Sequence, residues 1–346
     1  METVFISRFE LLLDALTQEM EVYAPRCGGE SSSFVRYDPK AAGAVAFNPA
    51  RLCTPAKEFL FPLRERAAAF PRPLEPEAAR PFAVMGLKDC DLKALRILDC
   101  VFLEDDEFRD PFYAARREAM FIVSSDCTEP NDSCCCVLFG GQVFPESGFD
   151  LNLSRIRDGY LVQPGSPKGA MFLSRHLDRF AGVPSAALAE RQQARQKTAE
   201  QLERHNAAYR LDRKVDEIVE AGQDAPLFDE MAAECVECQA CTRICPTCHC
   251  FYLFDALDTG AFAKMKVWDS CVRRDFTRVA GGANPRKILG DRTRHRLLHK
   301  FVYFLERHGL YMCVGCGRCI DACAGGLDVR ELLTRLNRER VSKGQG

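Results

Sequence analysis

Two cysteine runs constrain this chain more than any other feature: Cys235, Cys238, Cys241 and Cys245 before Pro246, then Cys313, Cys316, Cys319 and Cys323. Each has the form C-x2-C-x2-C-x3-C, the bacterial spacing for holding [4Fe–4S] clusters through thiolates. Two-residue gaps let the first three sulfurs turn toward one centre. The fourth, a short turn later, points away and in two-cluster chains serves the other cluster. The expected assignment is therefore crossed: Cys235, Cys238, Cys241 and Cys323 at cluster 1, and Cys313, Cys316, Cys319 and Cys245 at cluster 2. A lone C-x2-C would suit zinc or thiol exchange, but zinc sites usually pair their ligands two and two. Two complete four-cysteine runs favour iron and sulfide.

At 346 residues the chain is long enough for two domains, each with its own core. Its 19 cysteines do not describe a secreted disulfide scaffold, which would be short and open with a signal peptide. The opening stretch is interrupted by Arg8, Glu10, Asp14 and Glu19 and reads as an amphipathic helix. No run approaches the roughly 18 apolar residues of a membrane span. A soluble, reducing, cytoplasmic protein is expected. The formal net charge of −2 leaves no electrostatic footprint for nucleic acid. Charge is uneven, however: between Cys271 and Lys300, nine Lys/Arg stand against two Asp. That segment could dock an acidic partner surface, answer the charge of reduced clusters, or be a solvated helical face.

The periodicities predict an α+β fold: an α/β domain over residues 1–190, a charged helical linker over 191–226, and a mainly helical, ferredoxin-like two-cluster domain over 227–346. Phe5, Phe9, Leu12, Leu13, Leu16 and Met20 recur at helical spacing. Short strands are expected at Glu21–Ala24 and Ser33–Tyr37, and buried strands at Pro81–Leu87 and Met120–Val123. Helical faces follow over Asp89–Leu103 and about Ser166–Phe180, with a hairpin at Asp158 and Gly159. The 67 residues between Cys245 and Cys313 are too many for a small ferredoxin and predict an insertion between the cluster loops.

Cys90 and Cys127 follow the two buried strands, and Cys134, Cys135 and Cys136 lie just beyond. Carboxyl ends of strands in an α/β sheet face one edge, the usual place for ligands. Cys90, Cys127, Cys134 and Cys136 could thus converge on a third [4Fe–4S] cluster, with Cys135 pointing away as side chains alternate. The competing reading is that these thiols are buried small hydrophobes. Cys248, Cys250 and Cys271 could form a metal site with His249, or pack beside cluster 1; Cys27, Cys53, Cys100 and Cys135 are assigned no chemistry.

Neither a dinucleotide fingerprint, a phosphate loop nor H-E-x-x-H occurs. No catalytic residue is therefore assigned, and one-electron transfer is the expected chemistry. Arg243 and Arg318, inside the cluster loops, would favour the reduced state, so Arg318→Glu should lower the potential of cluster 2. Gly315 and Gly317 either let backbone N–H groups approach sulfur or simply satisfy a turn. The rival from another class is a thiol or heterodisulfide reductase presenting Cys248, Cys250 and Cys271 to substrate.

Taken together, Gly86–Asp99 around Cys90, the Cys127–Cys136 segment, Cys245 to Cys250, Trp268 to Cys271, Ala280 to Gly282 and Tyr311 to Cys319 resemble the sulfhydrogenase beta subunits, a family similar to the iron–sulfur subunits of anaerobic sulfite reductases. The resemblance covers nearly the whole length. It implies an electron-relay subunit of a hetero-oligomer, passing electrons between a flavin- and NAD(P)-binding partner and a catalytic hydrogenase, sulfite reductase or heterodisulfide-reductase-type subunit. It also places cysteines at Cys90, Cys127, Cys134 and Cys136, in favour of the third cluster. Ala324 stands where a proline often follows the fourth cysteine, and Ala283 replaces a frequent polar residue.

Overall fold

The computed structural model describes residues 2–28, 31–40, 45–76, 78–258 and 261–343. Among them are ten strands: β1 (Val4–Ile6), β2 (Glu21–Gly28), β3 (Ser31–Arg36), β4 (Arg64–Phe70), β5 (Phe82–Leu87), β6 (Met120–Ser125), β7 (Leu151–Ile156), β8 (Gly159–Pro164), β9 (Phe251–Asp258) and β10 (Ala261–Trp268). A seven-stranded sheet has the order β1-β8-β7-β6-β5-β2-β3. Its centre, β2, β5, β6 and β7, is parallel, and its margins are antiparallel. Strands covered on both faces read as unbroken apolar runs. All of β6 is buried, as is β5 beyond Phe82, which is why both runs stand out in the sequence.

Helices cover the two faces. Phe9–Thr17 and Pro167–Arg175 pack Leu12, Leu16 and Phe172 against Val123, Leu153 and Val162. On the other face Asp89–Phe102 sets Leu92, Leu95 and Leu98 against Val84, Ile122 and Phe61. Helix Pro111–Ala119 starts where Asp110 accepts hydrogen bonds from the Phe112 and Tyr113 amides, both at 2.9 Å, with proline in the first turn. Two expected elements shift. The first helix starts at Phe9, because Val4, Phe5 and Ile6 pair with Val162, Leu161 and Tyr160 as a margin strand. The helix from Ser166 ends at Arg175, short of Phe180. The expected turn at Asp158 and Gly159 closes the β7–β8 hairpin.

The charged stretch forms helix Ala187–His205. One side of it is packed: Arg195 pairs with buried Asp126 at 2.8 Å, and Leu202 packs with Cys134, Cys136 and Val143. Beyond it, helices Val215–Ala221, Leu227–Ala233, Leu289–Leu298 and Val329–Lys343 close a separate core around Val219, Phe228, Phe301 and Leu333. The insertion between the cysteine runs carries the β9–β10 hairpin, which pairs with β4 from the first part of the chain. Strands therefore occur in a region expected to be mainly helical. Buried Trp268, at the end of β10, stacks on Phe61 and donates to its carbonyl at 3.0 Å.

Candidate metal centres

The two cysteine runs fold alike. In the first, Glu237 (φ 53°) and Gln239 (φ 63°) are left-handed before the helical turn Ala240–Arg243. In the second, Gly315 (φ 62°) and Gly317 (φ 73°) occupy the matching places before Arg318–Asp321. The reversals bring three thiols to one side, and each helical turn sends the fourth cysteine toward the other loop. Cys235, Cys238, Cys241 and Cys323 line one cavity, closed by Val272, Leu297 and Leu332. Cys245, Cys313, Cys316 and Cys319 line a second, closed by Phe301, Val314 and Val329. The structure thus brings the thiols together in the crossed pattern. Cys319 borders both cavities, and Cys238 is exposed.

Non-glycine residues tolerate the left-handed turns of the first run, so turn geometry alone does not require Gly315 and Gly317. Close packing does. A Cβ on Gly315 would lie 2.5 Å from the Cys135 carbonyl oxygen and from Cys136 Cα, and one on Gly317 2.3 Å from the Ser133 oxygen. The Cys135 amide donates to the Gly315 carbonyl at 2.8 Å. The second run is therefore pressed onto the Ser133–Cys136 segment that follows β6.

That segment completes the N-terminal constellation. Cys90 sits in the first turn of Asp89–Phe102, just after β5, and Cys127 lies two residues beyond β6. Cys127 packs against Cys134 and Cys136, and Cys136 neighbours Cys90. Burial pushes the Cys127 thiol up to about 12, and Cys136 higher still. The same cause raises Cys313 to about 11 and Cys319 to about 12. Buried thiols of this kind give up their protons when a metal centre replaces them.

Buried cations surround these thiols. Lys300, on the π-helical turn His299–Tyr303, reaches Cys245 Sγ at 3.4 Å and Thr247 Oγ1 at 3.1 Å. Cys245 is held well below the ordinary thiol range, first by the hydrogen bond from Cys248 and then by Lys300 and Lys57. Fully buried Lys88 donates to the Asn48 carbonyl (2.6 Å), Ser125 Oγ (2.9 Å) and the Asp126 carbonyl (2.9 Å), beside Cys127. Arg51 donates to the Cys316 carbonyl and to Ser133 Oγ at 3.1 Å. Arg318, 1% exposed, pairs with Asp91 at 2.7 Å. Arg243 donates to the Trp268 carbonyl at 2.8 Å.

The two C-terminal sites fit a polynuclear sulfur-bridged centre. Among the described residues no three His, Cys, Asp or Glu converge closely enough for a single ion; the C-terminal thiols surround cavities instead. Arg296 Nε and Arg318 Nη1 are buried beside these thiols without a hydrogen-bond partner. Buried donors are rarely left unpaired, and an anionic cluster supplies acceptors there.

The family model described as "4Fe-4S dicluster domain" matches residues 234–327. Sulfhydrogenase 2 subunit beta of Pyrococcus furiosus is 30% identical over 326 residues, covering 92% of this chain and 93% of that protein. The chain belongs to the sulfhydrogenase beta-subunit family. Like the domain it carries, this family member holds two [4Fe–4S] clusters.

Of the remaining cysteines of this beta-subunit homologue, only Cys135 lines either cavity among the described residues. The Cys248 thiol faces Cys245 as donor, and the Cys271 thiol faces Cys250 as donor across the base of the β9–β10 hairpin, where the Asp269 amide meets the Cys250 carbonyl at 2.8 Å. His249 turns Nδ1 toward the Thr247 carbonyl at 3.0 Å, and burial lowers it to about 4. Cys135 borders the second cavity, Cys100 is buried on its helix, and Cys53 lends its carbonyl to Arg318 at 3.2 Å. The Cys27 side chain lies outside the described residues. Sequence reasoning missed Arg51, Lys57, Lys88, Arg296 and Lys300. Only the last two left a trace, as part of the basic stretch before the second run.

Proposed function

We propose that this chain is the iron–sulfur electron-transfer subunit of a cytoplasmic, multi-subunit oxidoreductase of hydrogenase type. It relays single electrons between a flavin- and NAD(P)-binding partner and a catalytic hydrogenase, sulfite reductase or heterodisulfide-reductase-type subunit. Cys235, Cys238, Cys241 and Cys323 hold one [4Fe–4S] cluster, and Cys313, Cys316, Cys319 and Cys245 the other. Cys90, Cys127, Cys134 and Cys136 hold a third. When bound, the clusters supply reversible one-electron oxidation and reduction. The protein excludes water with Val272, Leu297, Phe301 and Val314 and sets buried cations beside the thiolates. Such charges, like hydrogen bonds to sulfur and solvent exposure, set the potential.

The observation that carries this reading is the crossed lining of the two cavities. Anaerobically purified chain should contain about twelve irons with matching sulfide, falling to about eight in Cys90→Ser/Cys136→Ser. Wild-type protein with about eight irons would remove the third site. No iron, and no electron paramagnetic resonance after dithionite, would remove the whole reading. A second reading, thiol or heterodisulfide reduction, is favoured by one observation, the hydrogen-bonded Cys250 and Cys271 thiols. Cys271 is only 5% exposed, which argues against a substrate-facing role. Turnover of a disulfide by the isolated chain with an artificial electron donor would restore it.

A further inference from the structure

Each join between neighbouring cysteine sets contains an arginine with a buried N–H that has no hydrogen-bond partner among the described residues. Arg296 lines both C-terminal cavities, with Cys241 on one side and Cys319 and Cys245 on the other. Its Nε has no partner among the described residues. Arg318 lies at the next join. Its Nε donates to the Leu52 carbonyl at 2.9 Å and the Cys53 carbonyl at 3.2 Å, and its Nη2 meets Asp91 at 2.7 Å. That leaves Nη1 facing Cys316 of the second set and Cys90 of the N-terminal set, with no N or O acceptor among the described residues. Cys316 also neighbours Cys134, whose thiol points to the Cys316 carbonyl at 4.0 Å. Arg51 spans the same join, between Cys316 and Cys134.

A guanidinium is planar, permanently charged and rich in donors, so it suits a place between two anionic centres better than lysine does.

We propose that the three cysteine sets stand in single file with the Cys313 set in the middle, and that Arg318 is a positioning residue shared by the middle and N-terminal sets, as Arg296 is shared by the middle and first. This rests on the reading of Cys90, Cys127, Cys134 and Cys136 as a cluster site. A shared cation stabilises extra negative charge on either side, so its removal moves both neighbours together and leaves the far centre alone.

The test is a potentiometric titration followed by electron paramagnetic resonance. Signals are assigned by their loss in Cys90→Ser/Cys136→Ser (N-terminal) and Cys235→Ser/Cys238→Ser (first). Arg318→Met should shift the middle and N-terminal midpoints downward and leave the first unchanged; Arg296→Met should shift the first and middle and spare the N-terminal. Arg318→Lys should keep the pattern with a smaller shift. Because Arg318→Met strands Asp91 and can prevent folding, the double variant Asp91→Asn/Arg318→Met is titrated beside it. In the unmutated protein, the reduced N-terminal centre should broaden the middle signal and not the first. With about twelve irons bound, a shift confined to the middle centre, or coupling of the N-terminal centre to the first, overturns the single file and leaves the cluster assignment standing. About eight irons in the wild type removes the N-terminal site itself, and the inference with it.

Discussion

Gly315 shows how one missing side chain can hold two parts of a chain together. The same left-handed turn is built from Glu237 and Gln239 in the first run, so the conformation is accessible without glycine. At Gly315 an added Cβ would strike two backbone atoms at 2.5 Å, neither of which can rotate away. Gly315→Ala should therefore cost about 1–3 kcal/mol, the usual range for overpacking, and lower iron content at the second site. Gln239→Gly, at the unconfined place, should change stability by less than about 1 kcal/mol. Denaturant midpoints and iron analysis of both variants check this. The thiol ligands were legible because their spacing carries the geometry. The reason for the glycines was not, since nothing near Gly315 in sequence mentions Ser133 to Cys136. Arg318 shows the same limit. Its place in the loop indicated a charge near the second cluster, but its ion pair with Asp91 joins residues far apart in the chain. Arg318→Glu would set a second carboxylate against buried Asp91, which is why the neutral methionine variant is the cleaner probe.

Among the elements, the three-stranded sheet depends on one lysine. Lys266, on β10, has a side chain 6% exposed and reaches Glu65 on β4 and Asp110, each at 2.5 Å. Asp110 also caps helix Pro111–Ala119, so one ammonium links the hairpin, β4 and a helix start. Lys266→Met leaves partly buried Asp110 without its cation and Glu65 with Arg116 alone, and should cost about 3–5 kcal/mol near neutral pH. Burial pushes the Asp110 carboxyl up, but the Lys266 hydrogen bond and the Tyr113 amide bring it below the ordinary value. A depressed carboxyl contributes stability above its unfolded pKa and loses it as pH falls. Removing Lys266 takes away the largest cause that opposes burial, so the penalty of the variant should shrink as pH drops through about 4. Chemical unfolding at neutral and acid pH reads both effects; an equal penalty at the two would contradict the account. The central strands β5 and β6 and helix Asp89–Phe102 were legible from unbroken apolar runs and helical periodicity. β4 was not, because Arg64–Phe70 carries alternating charges and alanines and finds its partners only in the hairpin. β10 was readable in principle: Phe262, Lys264, Lys266 and Trp268 alternate with Ala263, Met265 and Val267, a period-two pattern. Its setting between two cysteine runs concealed it.

Across the whole molecule, the basic stretch from Cys271 to Lys300 divides by direction. Arg292 and Lys300 are buried, Arg296 stands between the two C-terminal cavities, and Lys300 touches Cys245. This inward share answers the charge of the thiolates and of whatever they hold. Arg274, Arg278 and Lys287 point outward and are exposed. They lie in the loop before helix Leu289–Leu298, on the stretch that also brings Val272, Thr293 and Arg296 to the first cavity. An outward basic loop at the edge of a redox site is suited to steering an acidic partner, because rim charges act on encounter rate more than on the lifetime of a complex. The triple reversal Arg274→Glu/Arg278→Glu/Lys287→Glu should slow association with the partner subunits by about 10-fold or more at low salt. It should also flatten the dependence on ionic strength, while iron content and midpoint potentials stay at wild-type values. An inward cation behaves oppositely: Lys300→Met should change iron content or potential and leave the salt dependence of assembly intact. Stopped-flow association across a salt series, paired with iron analysis, separates the two roles. Assembly of the wild-type complex at a rate indifferent to salt would show that the outward charges serve solvation alone.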